Sequence, residues 1–323
     1  MTEKTRGSFS SSEGSQTISY ARWVGSDAIQ GIMLIAHGMA EYIDRYDAFA
    51  EFFTERGWAV YGNDHLGHGM SALTEQDLGY FADKGGADLV VRDIYTLYET
   101  ALKEFPGRPV VLLGHSMGSF VARVFCNEYP DALNGAIFMG SGGRNPALAP
   151  GRAIAGIAKF ILGGHSRSRF IDSLAFGAYN KKYENPKTTF DWLNTDGDKV
   201  MQYMDDPLCG YLFTLSGFCD LFTLTSRATR KGWTSNIPVD LPVLIVSGSE
   251  DPVGNFGKGV REIYSDLHQR GVTSLSMILY DGMRHEILNE PDCQRVRDDI
   301  LEWCDQILGI ERPEMEPTDQ QET

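Results

Sequence analysis

Val110-Val111-Leu112-Leu113-Gly114-His115-Ser116-Met117-Gly118 is the stretch that decides the architecture. Its four leading apolar residues read as a buried strand, and residues 116–129 carry a helical pattern directly behind it. A chain that turns from strand to helix this sharply holds the corner residue in a strained backbone conformation. Small residues two before and two after that corner are needed to avoid a clash, and Gly114 and Gly118 meet the requirement. The Ser116 hydroxyl then stands above the C-terminal edge of a sheet and at the start of a helix, where the dipole favours developing negative charge. Gly-x-Ser-x-Gly occurs once in the chain. The bland alternative is a Gly-bracketed turn with an incidental serine, and the strand behind and helix ahead argue against it.

Working outward, residues 17–23 and 30–36 read as strands. Residues 46–56 form an amphipathic helix with Phe49, Phe52 and Phe53 near helical spacing. Then come a strand at 59–62, a helix at 90–105 and a strand at 135–139. The rhythm breaks after Ser141-Gly142-Gly143-Arg144-Asn145-Pro146; from there to Pro238 no clean strand is legible and Phe, Leu, Tyr and Trp are frequent. It resumes with a strand at 242–248, a helix at 257–271, a strand at 276–280 and a helix at 292–308. Short apolar runs alternating with longer helices make an α/β fold with a mostly parallel central sheet flanked by helices. The expected layout is a core of residues 1–143 and 236–310, a mainly helical inserted cap at 144–235, and an acidic tail at 311–323 expected to be disordered.

The 323 residues carry 29 basic and 44 acidic side chains, a net charge of −15, which disfavours nucleic acid or an anionic membrane as a standing partner. Transient contact with lipid through an apolar patch stays open. Met1 to Ser8 contains no apolar stretch of the signal-peptide kind, and no run reaches membrane-spanning length. Cys126, Cys209, Cys219, Cys293 and Cys304 show no CxxC spacing, so neither a disulfide framework nor a zinc site is expected. The expected address is the cytoplasm.

A serine hydroxyl needs a base to take its proton. Where the nucleophile sits at such a strand-to-helix corner, the partners follow in the order Ser, acid, His. Of the seven histidines only His165, His268 and His285 lie beyond Ser116. His165 falls in the insertion and His268 in a helical pattern, whereas His285 follows the last strand in a loop able to reach back over the sheet edge. The acid belongs after the preceding strand, in Ser249-Glu250-Asp251-Pro252. Asp251 is preferred because Pro252 stiffens the loop and Glu250 would point the other way; Glu250 stays open, with Asp205 and Asp206 as poor third candidates. The oxyanion hole needs two backbone N–H donors. Met117, after the nucleophile, supplies one, and Met39, in His37-Gly38-Met39-Ala40-Glu41, supplies the other. His37, His65 and His68 could be read as a metal cluster, but their Gly-rich, strand-following context favours bracing of the oxyanion loop. No metal and no cofactor is expected.

Several segments together resemble the monoacylglycerol lipase and lysophospholipase branch of the α/β-hydrolase superfamily, which is similar also to serine aminopeptidases. They are His37-Gly38-Met39-Ala40-Glu41 with Arg45-Tyr46, Asn63-Asp64-His65-Leu66-Gly67-His68-Gly69-Met70-Ser71, Gly114-His115-Ser116-Met117-Gly118, Gly248-Ser249-Glu250-Asp251, and His285. The resemblance implies a serine hydrolase cleaving carboxylic esters of single-chain acyl lipids through an acyl-enzyme, with a cap over the site. It also implies Asp251 as the acid, the fourth position of the matching Gly-Ser-x-Asp segment. The partner implied is a small acyl ester or lysolipid. Substrate does not follow from fold alone. A short-chain carboxylesterase, a proline-type aminopeptidase and a non-catalytic receptor on the same fold are the competing readings.

The insertion decides between them. The helix-length stretch 153–162 has a single charge, Lys159, and Leu212, Phe213, Leu215, Phe218, Leu221 and Phe222 form a second apolar cluster. Such residues line an acyl slot or form the seam of the cap with the core, and a cap needs both. Asn180-Lys181-Lys182-Tyr183 and residues 167–169 read as solvated surface in preference to a phosphate contact.

Overall fold

The computed structural model describes residues 2–311 other than 13, 15, 26 and 27. Strands β1 (Glu3–Ser10), β2 (Thr17–Val24), β3 (Gly31–Ala36), β4 (Trp58–Asn63), β5 (Val110–His115), β6 (Gly135–Met139), β7 (Val243–Gly248) and β8 (Leu275–Tyr280) form one sheet in the order β1-β2-β4-β3-β5-β6-β7-β8. β1 pairs antiparallel with β2, and β2 antiparallel with β4; every pairing from β4 to β8 is parallel. The helices are α1 (Asp47–Thr54), α2 (Gly86–Glu104), α3 (Met117–Glu128), α4 (Leu148–Leu162), α5 (Arg169–Phe176), α6 (Gly197–Asp205), α7 (Leu215–Thr229), α8 (Lys258–Arg270) and α9 (Cys293–Leu308).

The central strands are apolar at nearly every position because both faces are covered, as parallel sheets require. Ile32, Leu34, Leu112, Phe138 and Ile245 bury against α2, α3 and α8 on one face. Met33, Ile35, Val111, Leu113, Ile137 and Val246 bury against α1 and α9 on the other. Phe49, Phe52 and Phe53 supply the α1 side of that second layer.

Two features depart from the sequence reading. Residues 3–10 form a strand that was not expected, because their side chains alternate only between exposed and half-buried and include charges and a glycine. This edge strand is held by its ladder to β2, from Glu3↔Val24 to Ser10↔Thr17, and not by a hydrophobic face. Helix α2 also begins at Gly86, four residues before the expected start at 90. Its N-cap, Gly85, offers no side chain; the Asp220 carboxylate, from α7, accepts the Ala87 N–H at 3.1 Å instead.

Between β6 and β7 the described residues form no strand, only an isolated bridge, Arg167↔Thr214. Helix α7 packs on α2, α3 and α4, and its Leu215, Phe218 and Leu224 are fully buried in the same layer as the sheet. Helix α4 buries only Gly151 and Ala155. The tail expected to be disordered lies, from residue 312 on, outside the described residues.

Candidate active site

The strand order reverses direction between β3 and β5, since β4 lies beyond β3 and β6 beyond β5. Ligand crevices of open α/β sheets form at such a point, outside the carboxyl ends of the strands. The register places Ala36 beside Gly114 and His115 beside Met139, so the loops leaving β3, β5 and β6 meet there. Gly248 pairs with Tyr280, which brings the loops after β7 and β8 to the same edge.

Ser116 stands at the corner between β5 and α3 with φ 53° and ψ −117°, a conformation that L residues adopt only under constraint. The constraint is visible: the Ser116 N–H donates to Met139 O at 2.9 Å, and its carbonyl accepts the Ser119 N–H at 2.9 Å and the Ser119 hydroxyl at 2.6 Å. A side chain at Gly114 would sit 2.2 Å from the Gly118 carbonyl oxygen, and one at Gly118 would sit 1.9 Å from the Ala36 carbonyl oxygen. Both glycines are therefore required by close backbone approach.

Asp251 and His285 are buried together, with His285 Nδ1–H donating to Asp251 Oδ2 at 2.9 Å. The other oxygen of Asp251 accepts the Val253 N–H at 2.8 Å, and Ser247 Oγ donates to Oδ2 at 3.2 Å. Burial opposes ionisation of Asp251, but the imidazole charge, its hydrogen bond and these two donors outweigh it and hold the carboxyl below its ordinary value. Of the two carboxylates left open by the sequence, Glu250 is exposed while Asp251 meets the histidine. Asp206, a third candidate, accepts from the Tyr42 hydroxyl at 2.8 Å, and neither it nor Asp205 lines the crevice. Ser116 and His285 both line one cavity of about 980 Å³, without a hydrogen bond between them among the described residues.

Met39 and Met117 line the same cavity. Met117 opens α3, where the first N–H groups have no intrahelical acceptor. A side chain at Gly38 would lie 3.2 Å from Ser116 Cβ, so the loop holding Met39 runs directly beside the serine. That loop rests on histidines. The rings of His37 and His65 lie 4.2 Å apart, and those of His37 and His68 5.2 Å apart. His37 Nδ1–H donates to Gly38 O at 2.8 Å and its Nε2 accepts the His65 N–H at 3.0 Å. His68 Nε2 accepts the Ala40 N–H at 3.3 Å while Nδ1–H donates to Leu66 O at 2.9 Å. Burial holds all three neutral, with His68 pushed down to about 3. Neutral imidazoles committed to main-chain groups brace the loop, the role read for them from the sequence.

Beneath the serine lies a buried charge network whose roles sequence reasoning did not assign. Glu41 Oε1 accepts the Gly38 N–H at 2.6 Å, the Tyr46 hydroxyl at 3.0 Å and His115 Nδ1–H at 3.1 Å; Glu41 Oε2 accepts from Arg45 at 2.7 Å. Arg45 forks onto both oxygens of Glu286 at 2.7 and 2.8 Å. Burial disfavours the His115 cation, but the hydrogen bond and charge of Glu41 and the charge of Glu286 raise its pKa above the ordinary value. The same contacts with His115 and Arg45 hold Glu41 well down against its burial. The sequence marks Glu41, Arg45, Tyr46 and His115 as members of the segments that carry the family resemblance, and does not mark Glu286.

The apolar wall of the cavity includes Phe120, Leu148, Leu174, Phe176, Leu221 and Phe222. Of the second apolar cluster in the sequence, Phe213, Leu215 and Phe218 belong to the buried seam, and Leu221 and Phe222 also face the cavity. Arg167 donates through its guanidinium to the carbonyls of Leu212, Gln76 and Leu78, which ties it to the protein main chain.

A family model described as serine aminopeptidase, S33, matches residues 27–292. The chain belongs to that hydrolase family. This S33-family chain is 27% identical to the monoacylglycerol lipase of Mycolicibacterium smegmatis over 297 residues, covering 90% of this chain and 93% of that protein. It is 29% identical to the human monoglyceride lipase over 270 residues, covering 83% and 79%. Among solved structures, a highly thermostable carboxyl esterase from Bacillus coagulans superposes with TM-score 0.89 at 27% identity, over 94% of this chain and 99% of that one. A soluble variant of monoglyceride lipase from Saccharomyces cerevisiae shares the fold, with TM-score 0.75 at 19% identity over 94% of each chain. The fold is that of the α/β hydrolases, as the sequence implied.

Proposed function

We propose that this chain is a serine esterase that hydrolyses single-chain acyl lipids, monoacylglycerols or lysophospholipids, through an acyl-enzyme. The observation that carries the reading is His285, backed by the buried Asp251, lining the cavity in which Ser116 stands at positive φ. His285 Nε2 takes the Ser116 proton as Oγ attacks the ester carbonyl, and Asp251, bonded to Nδ1–H, fixes the tautomer and stabilises the imidazolium. The N–H groups of Met39 and Met117 receive the oxyanion. The tetrahedral intermediate collapses, the alcohol leaves with the proton from His285, and water repeats the sequence to release the acid. No metal or cofactor enters these steps.

The acyl-lipid reading is supported by a large cavity walled by Phe and Leu side chains from the inserted segment, and by the lipase relatives. The segment 144–235 acts as a cap over that cavity. Ile157, Phe160, Ile161 and Leu162 on α4 and Phe170 on α5 are exposed, which suits transient contact with a lipid surface that presents the substrate. Of the cavity carboxylates, Glu41 and Glu286 are bonded to Arg45, whereas Asp172 on α5 lines the same cavity without an ion pair among the described residues, so turnover of a proline anilide is the direct check on the peptidase reading.

The test is a chain-length series of p-nitrophenyl esters run beside a monoacylglycerol, lysophosphatidylcholine and a proline p-nitroanilide. The expected optimum lies at medium to long acyl chains with turnover of at least one lipid. A peak at acetate or butyrate without lipid turnover would reassign the protein as a short-chain carboxylesterase, and turnover of the anilide alone as a peptidase.

A further inference from the structure

His285 is seated by the inserted segment as well as by the sheet. The indole of Trp192 lies against its imidazole, ring centres 5.0 Å apart. Three strands of hydrogen bonding fix Trp192 relative to the loop that carries His285. Arg284 Nη1 donates to the carbonyls of Asp191 and Asn194 at 2.5 and 2.9 Å. The Glu286 N–H donates to Leu193 O at 2.8 Å. Glu290 accepts the Arg284 N–H at 2.8 Å on the same oxygen that accepts the Thr195 N–H at 3.1 Å, and it also bonds the Thr195 hydroxyl. The residues before and after His285 are thus both tied to residues 191–195.

The same arm reaches the loop of the acid. Tyr183 donates its hydroxyl to the Glu250 carbonyl, next to Asp251, at 2.5 Å, and its ring lies under the Arg284 guanidinium at 4.3 Å. Within the arm, the main-chain N–H of Trp192 donates to Asn180 Oδ1 at 3.0 Å, and Tyr179 meets the indole edge-on at 5.0 Å. Trp192 is half-buried, lines the cavity beside His285, and has its chain neighbours on both sides bonded to the loop that carries His285. We infer that Trp192, locked by Arg284, is a positioning residue for the catalytic imidazole, so that the arm of residues 179–195 is part of the machinery that orients the Asp251–His285 pair.

This inference rests on the proposed role of His285 as base. A misplacement of about 1 Å in a catalytic group can cost on the order of a hundredfold in rate. The experiment uses the full chain and p-nitrophenyl acetate, whose acyl group is too short to need the cavity wall. Trp192→Ala is expected to lower kcat roughly tenfold to a hundredfold with KM nearly unchanged, to slow fluorophosphonate labelling in parallel, and to be largely restored in Trp192→Phe. Arg284→Met is expected to reproduce the fall in kcat from the other side of the lock, which keeps the test valid should Trp192→Ala fold poorly. A normal kcat in both Trp192→Ala and Arg284→Met would overturn the inference. So would a rise in KM confined to long-chain esters, which marks a wall residue. His285→Ala and Ser116→Ala run alongside: full activity in those two variants defeats the triad reading itself, whereas their inactivity with normal Trp192 and Arg284 variants defeats the positioning role alone.

Discussion

The inserted segment has two ends of opposite character. Helix α7 is core: Leu215, Phe218 and Leu224 are fully buried, Thr214 donates to Gly79 O at 2.8 Å, Ser216 donates to Ala82 O at 2.7 Å, and Asp220 caps α2. Helix α4 is surface: Phe160 is 91% exposed and Ile161 70%, although the helix is more apolar than α7. Apolar composition alone therefore does not say which part of an insertion belongs to the fold. The two helices also differ in polar anchoring to the core, which α7 has through its cap Thr214 and through Ser216 and Asp220, and α4 has chiefly through Lys159, whose ammonium donates to Asp83 O and Ser216 Oγ. Changes at the core end should cost chemistry or folding, and changes at the exposed end should cost only access to substrate.

The largest effect is expected nearest the sheet. Asp251→Asn should lower kcat/KM by roughly ten-thousandfold on short and long esters alike, because the imidazole loses its tautomer and its counter-charge. Glu250→Gln, one residue away and exposed, should leave activity within about twofold. Steady-state kinetics on both variants checks the pair, and the reverse result would move the acid to Glu250.

Next comes the seam. Phe218→Ala removes a fully buried ring from α7 and should destabilise the protein by about 3–5 kcal/mol in denaturant unfolding. The seam is also sensitive to pH through His68, whose ring packs 5.3 Å from Phe213. Its pKa is pushed from an ordinary 6.5 down to about 3 by burial, so between those values the unfolded chain binds a proton that the folded chain excludes. Stability should therefore fall on acidification below pH 6.5, by about 1.4 kcal/mol per pH unit for this one histidine, with His37 and His65 acting in the same direction. Unfolding free energies at pH 6.5, 5.5 and 4.5 check it, and a flat profile would mean that these imidazoles are not held neutral.

The smallest effect on stability is expected at the exposed end. Phe160→Ser should change the unfolding free energy by no more than about 0.5 kcal/mol. It should leave p-nitrophenyl acetate hydrolysis intact and reduce turnover of monoacylglycerol presented in vesicles. Equal losses on both substrates would erase the distinction between the two ends.

The sheet and the corner at Ser116 were legible because each leaves a local mark: continuous apolar runs, a glycine two residues either side of the serine, and turns after each strand. His285 and Asp251 were legible through chain order and loop position. β1 was not, since an edge strand held by backbone pairing needs no apolar pattern. The Glu41–Arg45–Glu286–His115 network and the Trp192 contact with His285 were not: Glu41, Arg45 and His115 stand in recognisable segments, but their bonds to one another and to Glu286, like the Trp192 contact, join separate segments of the chain and leave no local pattern. The insertion was found as a break in rhythm, but 153–162 and 212–222 read alike as apolar, and only the tertiary anchors separate them.

The most direct test of the central reading is fluorophosphonate labelling of the intact protein, with the adduct located by peptide mass spectrometry. One adduct on Ser116 in the native chain is expected, abolished in Ser116→Ala and after thermal unfolding, and matched by a loss of ester hydrolysis of at least about a thousandfold in that variant. An unlabelled native protein, or an adduct on another residue with hydrolysis intact in Ser116→Ala, would contradict it.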